Sequence, residues 1–183
     1  MYDQESTERA MLVKIGHSNE SSDIVDLLVA CHERIRFFID LAVRLVETTG
    51  ASPEEIREAA ARVVRYFSES LPLHVADEEE SVLPRLVGRE PMLDRTLETM
   101  CNEHDSHEPQ LEWLLEICRT VQNAPEKLPE MREDLRNIAS RLAGEFKTHL
   151  AQEEAVVLPA IKTVLSDQDR RDMLQELRAR RSS

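Results

Sequence analysis

Apolar side chains recur at spacings of three and four from Ser22 to about Thr48, at Leu28, His32, Ile35, Ile39, Ala42 and Val46, which predicts one helix stopped at Gly50. Ser52-Pro53-Glu54-Glu55 then places a cap residue, a first-turn proline and a capping-box glutamate together, opening a second helix that runs to about Leu86. Its inward stripe is Ile56, Ala60, Val63, Phe67, Leu71, His74 and Glu78, and Pro72 inside it predicts a kink or a split, because proline removes a backbone donor. A third helix starts near Pro91 and carries Leu93, Leu97, Met100, His104, His107, Leu111, Leu114 and Cys118, with a kink expected at Pro109. After the loop QNAPEKLP a fourth opens at Pro129 with Leu135, Ile138, Leu142, Phe146, His149, Glu153 and Val156. A short polar helix from Asp167 to about Arg178 follows, its Met173, Leu174 and Leu177 either capping the other helices or pairing with a partner.

Four long helices with short connections must bury their stripes against one another. The expected fold is all-α: an up-down-up-down antiparallel four-helix bundle over residues 22–163, preceded by an N-terminal arm at 1–21 and followed by a short C-terminal helix and tail at 164–183. A length of 183 residues suits one domain, and 41% hydrophobic with 32% charged residues and only four glycines suits a helical one. The net charge of −13 argues against nucleic acid and anionic membranes as partners. No apolar run reaches a membrane span and the first residues lack the order of a signal peptide, so a cytoplasmic location is expected. Cys31, Cys101 and Cys118 have no CxxC spacing and read as reduced, mostly buried thiols.

The chemistry lies in a repeat. His74-Val-Ala-Asp-Glu78-Glu-Glu-Ser-Val-Leu-Pro and His149-Leu-Ala-Gln-Glu153-Glu-Ala-Val-Val-Leu-Pro share H-x-A-x-E-E-x-x-V-L-P at an offset of 75 residues, and the preceding helices carry His32 and His104 at an offset of 72. The halves read as a duplicated helical hairpin with two similar ligand sets related by a pseudo-twofold axis. His and Glu four apart share one helix face, so each H-x-x-x-E aims an imidazole and a carboxylate at one point. A single inward histidine is ordinarily a hydrogen-bonded core residue. Here five of six histidines fall on inward stripes, two of them with an inward glutamate one turn later. Burying those carboxylates and imidazoles without a cation costs several kcal/mol per unpaired charge, roughly as for any isolated buried ion, so a metal site is expected. His17 falls in the arm and is expected in solvent. Glu79, Glu80 and Glu154 lie about 100° round the helix from the inward face and are expected to face water.

Imidazole with carboxylate suits iron, zinc or manganese, and the number of candidate ligands favours two ions over one. No histidine has a glutamate three residues before it, which disfavours the ferritin-like E-x-x-H pattern. His32, H74-x-x-x-E78, His104 and H149-x-x-x-E153, with the trailing E-E-x-x-V-L-P blocks, resemble the hemerythrin-like HHE cation-binding domain family over about residues 22–163. The resemblance implies two non-haem, carboxylate-bridged iron ions, His32 and His74 on one, His104 and His149 on the other, with Glu78 and Glu153 bridging. Oxygen-carrying members place H-x-x-x-H on the third helix. In this chain Glu108 occupies the fourth position after His104, and His107 the third. Either is a candidate further ligand; His107 is taken into the expected metal set. The family implies binding of a small molecule such as dioxygen, nitric oxide or peroxide for sensing, storage or scavenging. The alternatives are a di-iron enzyme with peroxidase, catalase-like or oxidase activity, and an iron-occupancy-dependent regulatory or iron-handling protein. No catalytic residue is assigned.

Overall fold

The computed structural model describes residues 23–182, and among them every regular element is helical. Helix α1, Ile24–Glu47, opens on Asp23, whose carboxylate accepts the Val25 amide at 3.1 Å. Gly50 then turns the chain in the left-handed region at φ 84°, where only glycine is free of strain. Helix α2, residues 53–86, starts in the expected capping box, with the Ser52 amide donating to Glu55 at 2.7 Å. Two π-helical turns, Tyr66–Ser70 and Asp77–Val82, interrupt α2. The first lies just before Pro72, where a split was anticipated, and hands the chain to a new α-helical segment with the proline in its first turn. Helix α3, Pro91–Asn123, passes Pro109 without interruption. Helix α4, residues 128–164, carries a third π-helical turn at Glu153–Val157, and α5 is Asp167–Arg180. The arm at residues 1–21, with His17, lies outside the described residues.

α1 packs on α2 and α4, and α3 packs on the same two helices from the other side. The interior holds two apolar clusters. One gathers Ile35, Ile39, Val63, Phe67, Leu114, Leu135 and Leu142; the other gathers Ile24, Leu28, Val82, Leu86, Leu97, Val157 and Ile161. Between them runs a polar layer of His32, His74, Glu78, His149 and Glu153, all buried. Along α1 and α3 the second cluster precedes the polar layer, and along α2 and α4 the first does. The π-helical turns shift the register of the stripe that leaves this layer. Val156, the expected inward residue after Glu153, is 36% exposed, whereas Val157 is buried; the wider turn carries the inward face one residue further on.

α5 caps the bundle. Met173 and Leu177 are fully buried in the second cluster. Its last turn reaches α2, where Asp77 is fully buried and accepts from Arg180 at 3.0 Å and from Arg181. Arg180 also pairs with Glu80, and Arg85 on α2 with Glu176 on α5. Removing a cationic partner strands a buried carboxylate, which in the fully enclosed case costs about 3–5 kcal/mol; the arginines here are partly exposed, so about 2 kcal/mol is expected. The double substitution R180A/R181A should therefore lower the Tm by roughly 4–8 °C in a thermal melt, with D77N in the same background recovering most of the loss.

Candidate metal centre

The ligand-bearing turns come from all four long helices. On α2 and α4 the motif H-x-x-x-E begins in α-helix and ends inside a π-helical turn, so Glu78 and Glu153 each sit where the backbone widens. π-turns of this kind recur at functional sites. His74 Nε2 lies 3.2 Å from Glu78 Oε1, and His149 Nε2 lies 3.0 Å from Glu153 Oε1. The helices without such a motif supply the other two imidazoles. His32 on α1 brings Nε2 to 3.7 Å from Glu78 and 3.3 Å from Glu153, and His104 on α3 brings Nε2 to 3.3 Å from Glu78 Oε2. Every one of the four rings turns Nε2 inward.

Two overlapping sets follow, His32-His74-Glu78-Glu153 and Glu78-His104-His149-Glu153, each with one potential donor atom per residue within 4.8 Å of the others. Both carboxylates belong to both sets. His107 belongs to neither. It is buried beside His149, ring centroids 5.5 Å apart, with Phe146 at 5.0 Å and its Nε2 3.7 Å from Glu145. Glu108 is exposed on the outer side of α3.

Whether these residues fit a cation is answered by their unsatisfied atoms. Among the described residues, His32 Nε2, both nitrogens of His74, Glu78 Oε2 and both oxygens of Glu153 are buried without a hydrogen-bond partner, although several lie near one another. Buried polar atoms are nearly always paired, and such a cluster of bare donors and acceptors is costly unless a cation sits among them. Four imidazoles with two carboxylates suit a borderline divalent metal. The residues fit the group.

Burial and the neighbouring charges move the groups of this layer in opposite directions. Burial alone would raise the Glu78 pKa, but His74, His104 and His32 outweigh it and hold the carboxyl well below its ordinary range. Glu153 moves the other way, raised by burial and by the neighbouring Glu78 charge. Burial pushes His74 down to about 4, so it is neutral and ready to ligate. Burial opposes the charged form of His149 too, yet Glu153 and Glu103 prevail and lift it to about 9.

Outside the rings stands a second layer of carboxylates. His32 Nδ1–H donates to Glu154 at 3.0 Å, His104 Nδ1–H to Glu79 at 2.9 Å and His149 Nδ1–H to Glu103 at 2.7 Å. Such partners fix the tautomer and raise the basicity of the ligating nitrogen. The expectation that Glu79 and Glu154 face water is corrected here: 100° round from the inward face of a bundle helix is the flank against the next helix, and each spans that flank to the neighbouring ligand histidine. Glu80, one step further round, is exposed and pairs with Arg180. The signal for Glu79 and Glu154 lay in the repeat itself, whose glutamate doublet recurs in both halves. Glu103, adjacent to His104, had no such marker.

The profile of the hemerythrin HHE cation-binding domain matches residues 23–126. The chain belongs to this family. The matched span holds His32, His74, Glu78, His104 and His107, and the domain is a binder of metal cations. His149 and Glu153 lie beyond it and enter through the fold, which sets them opposite His74 and Glu78. No curated protein matches the chain. Among the described residues no helix is long and apolar enough to cross a membrane.

Metal binding to the apo domain must displace the His149 proton below the pH at which it leaves on its own. His149 is raised to about 9, so affinity should climb as pH rises from 6.5 towards 9 and level off above it. Calorimetry in buffers of different ionisation enthalpy should record proton release on metal loading at pH 7, about one proton of it from His149, and that share should vanish near pH 10.

Proposed function

We propose that this domain holds two iron ions and binds dioxygen or a related small molecule, nitric oxide or peroxide, for sensing, storage or scavenging. The two ligand sets that share Glu78 and Glu153 carry the reading: one ion would take His32 and His74, the other His104 and His149, with both carboxylates bridging. The order in which the helices meet the two apolar clusters supports an up-down-up-down antiparallel bundle around them. Four protein ligands per ion leave positions open for an exogenous molecule in a six-coordinate shell. A ferrous pair, when bound, supplies two electrons to such a molecule.

The chain's own residues provide the room. A cavity of about 30 Å³ adjoins the ligand histidines, lined by His74, His104, His107 and His149 together with Ile35, Leu71, Val75, Leu111 and Phe146. That is space for one or two water-sized groups, which suits a diatomic or a peroxide and excludes larger substrates. Leu71, Val75, His104 and Leu111 also line a groove of about 930 Å³ on the outer surface between α2 and α3. These four form the partition between solvent and the cavity. Its apolar members keep bulk water from the centre, while the buried carboxylates retain their charge for the metal.

Protein purified without added metal, then loaded anaerobically with ferrous iron, should contain about two irons per chain by mass spectrometry. It should change its absorption reversibly on exposure to dioxygen or nitric oxide. Uptake of one tightly held zinc, or of no iron, would overturn the proposal; sustained peroxide turnover in its place would assign the centre to catalysis. His107→Phe should retain both ions, since His107 lies outside both sets, and alter the spectrum of the ligand-bound form.

A further inference from the structure

The two halves match in the six residues of the ligand sets and differ in what stands behind one of the rings. Three of the four ligand rings have a carboxylate on Nδ1: Glu154 for His32, Glu79 for His104 and Glu103 for His149. The fourth, His74, is buried, and among the described residues its Nδ1 has no hydrogen-bond partner. The partner is missing for a reason visible in the repeat. Glu103 is the residue before His104 on α3 and reaches the ligand histidine of α4. Its counterpart before His32 on α1, facing α2, is Cys31. That cysteine is buried, and its sulfur lies 3.8 Å from Arg181 Nη2, which in turn pairs with Asp77, one turn beyond His74. A thiol is a weak acceptor with no charge to lend, and the nearest charged group to it is a guanidinium.

We propose that the two metal positions are unequal: Cys31 occupies the place of a positioning carboxylate, and the ion held by His32 and His74 is therefore the weaker and exchangeable one. This rests on the two-ion reading above. With no acceptor on Nδ1, His74 is neither fixed in tautomer nor made more basic, whereas His149 gains both from Glu103. Loss of one such partner typically weakens metal affinity by about 10–100-fold, so the two sites should separate by that factor. Iron would fill the His104–His149 position first, and a chelator would empty the His32–His74 position first.

The test is an anaerobic titration of the apo chain with ferrous iron against a competing chelator, counting ions bound at each step. The wild type should bind two ions in two steps about 10–100-fold apart. Cys31→Glu, which restores the acceptor, should draw the weaker step towards the tighter one. Glu103→Cys, which gives both halves a thiol, should weaken the tighter step until the two nearly coincide. Melting of each apo variant separates a folding defect from a change in affinity. Cys31 is buried and Glu103 only half-buried, so Glu103→Cys decides the matter if Cys31→Glu does not fold. Two wild-type ions of indistinguishable affinity, or a folded Glu103→Cys with both steps unmoved, would overturn the inequality and leave the two-ion centre standing. One ion or none in the wild type would overturn both.

Discussion

Everything in this domain is arranged around two glutamates that have no business in a hydrophobic core unless something positive joins them. Glu78 and Glu153 are buried among four imidazoles at mid-bundle, with apolar clusters above and below. The repulsion between them shows in their opposite displacements, Glu78 held ionised and Glu153 pushed towards its neutral form. Protons on the histidines can offset that charge only in part, because burial drives His74 in particular to its neutral form. The apolar clusters then act as clamps: they fix four helices closely enough that the polar layer cannot open to water, which makes a cation the remaining source of compensation.

The π-helical turns are the backbone's contribution to that constraint. Steps of four from His74 through Glu78 to Val82, and from His149 through Glu153 to Val157, would drift about 40° each round an uninterrupted α-helix. The widened turns absorb that drift, and Val82 and Val157 are both buried in the second cluster. A local distortion thus reconciles two demands on one helix, a carboxylate aimed at the centre and an apolar face realigned beyond it. The same event in both halves matches the duplicated H-x-A-x-E-E-x-x-V-L-P segment, so the sequence repeat and the structural repeat coincide.

Helices were legible because apolar spacing of three and four is imposed directly by burial, and the start of α2 at Ser52 followed from capping chemistry. The ligands His32, His74, Glu78, His104, His149 and Glu153 were legible because they interrupt apolar stripes with groups that burial alone would forbid. Val156 was misplaced because a fixed period knows nothing of a π-turn. Glu79 and Glu154 were sent to solvent because a single helix viewed down its axis has only an inside and an outside, while a helix in a bundle also has flanks. The partnership of Asp77 with Arg180 and Arg181 crosses about a hundred residues of chain, and no local pattern foretells a contact of that kind.

α5 draws these threads together. It seals the second apolar cluster with Met173 and Leu177, and its last turn sets two guanidinium groups against Asp77, between His74 and Glu78 in sequence. Among the described residues no equivalent helix acts on the other half, where Gln152 takes the place of Asp77 and Glu103 faces His149. One half of the centre therefore has a carboxylate on both ring Nδ1 atoms, whereas the other has one, Glu154 on His32, with a thiol and an arginine-paired aspartate nearby. The repeat carries the same His and Glu side chains in both ligand sets and different groups around them. Metal affinity depends on those surroundings as well as on the ligands, so under the two-ion reading a repeat of the ligands does not by itself make the two positions equivalent.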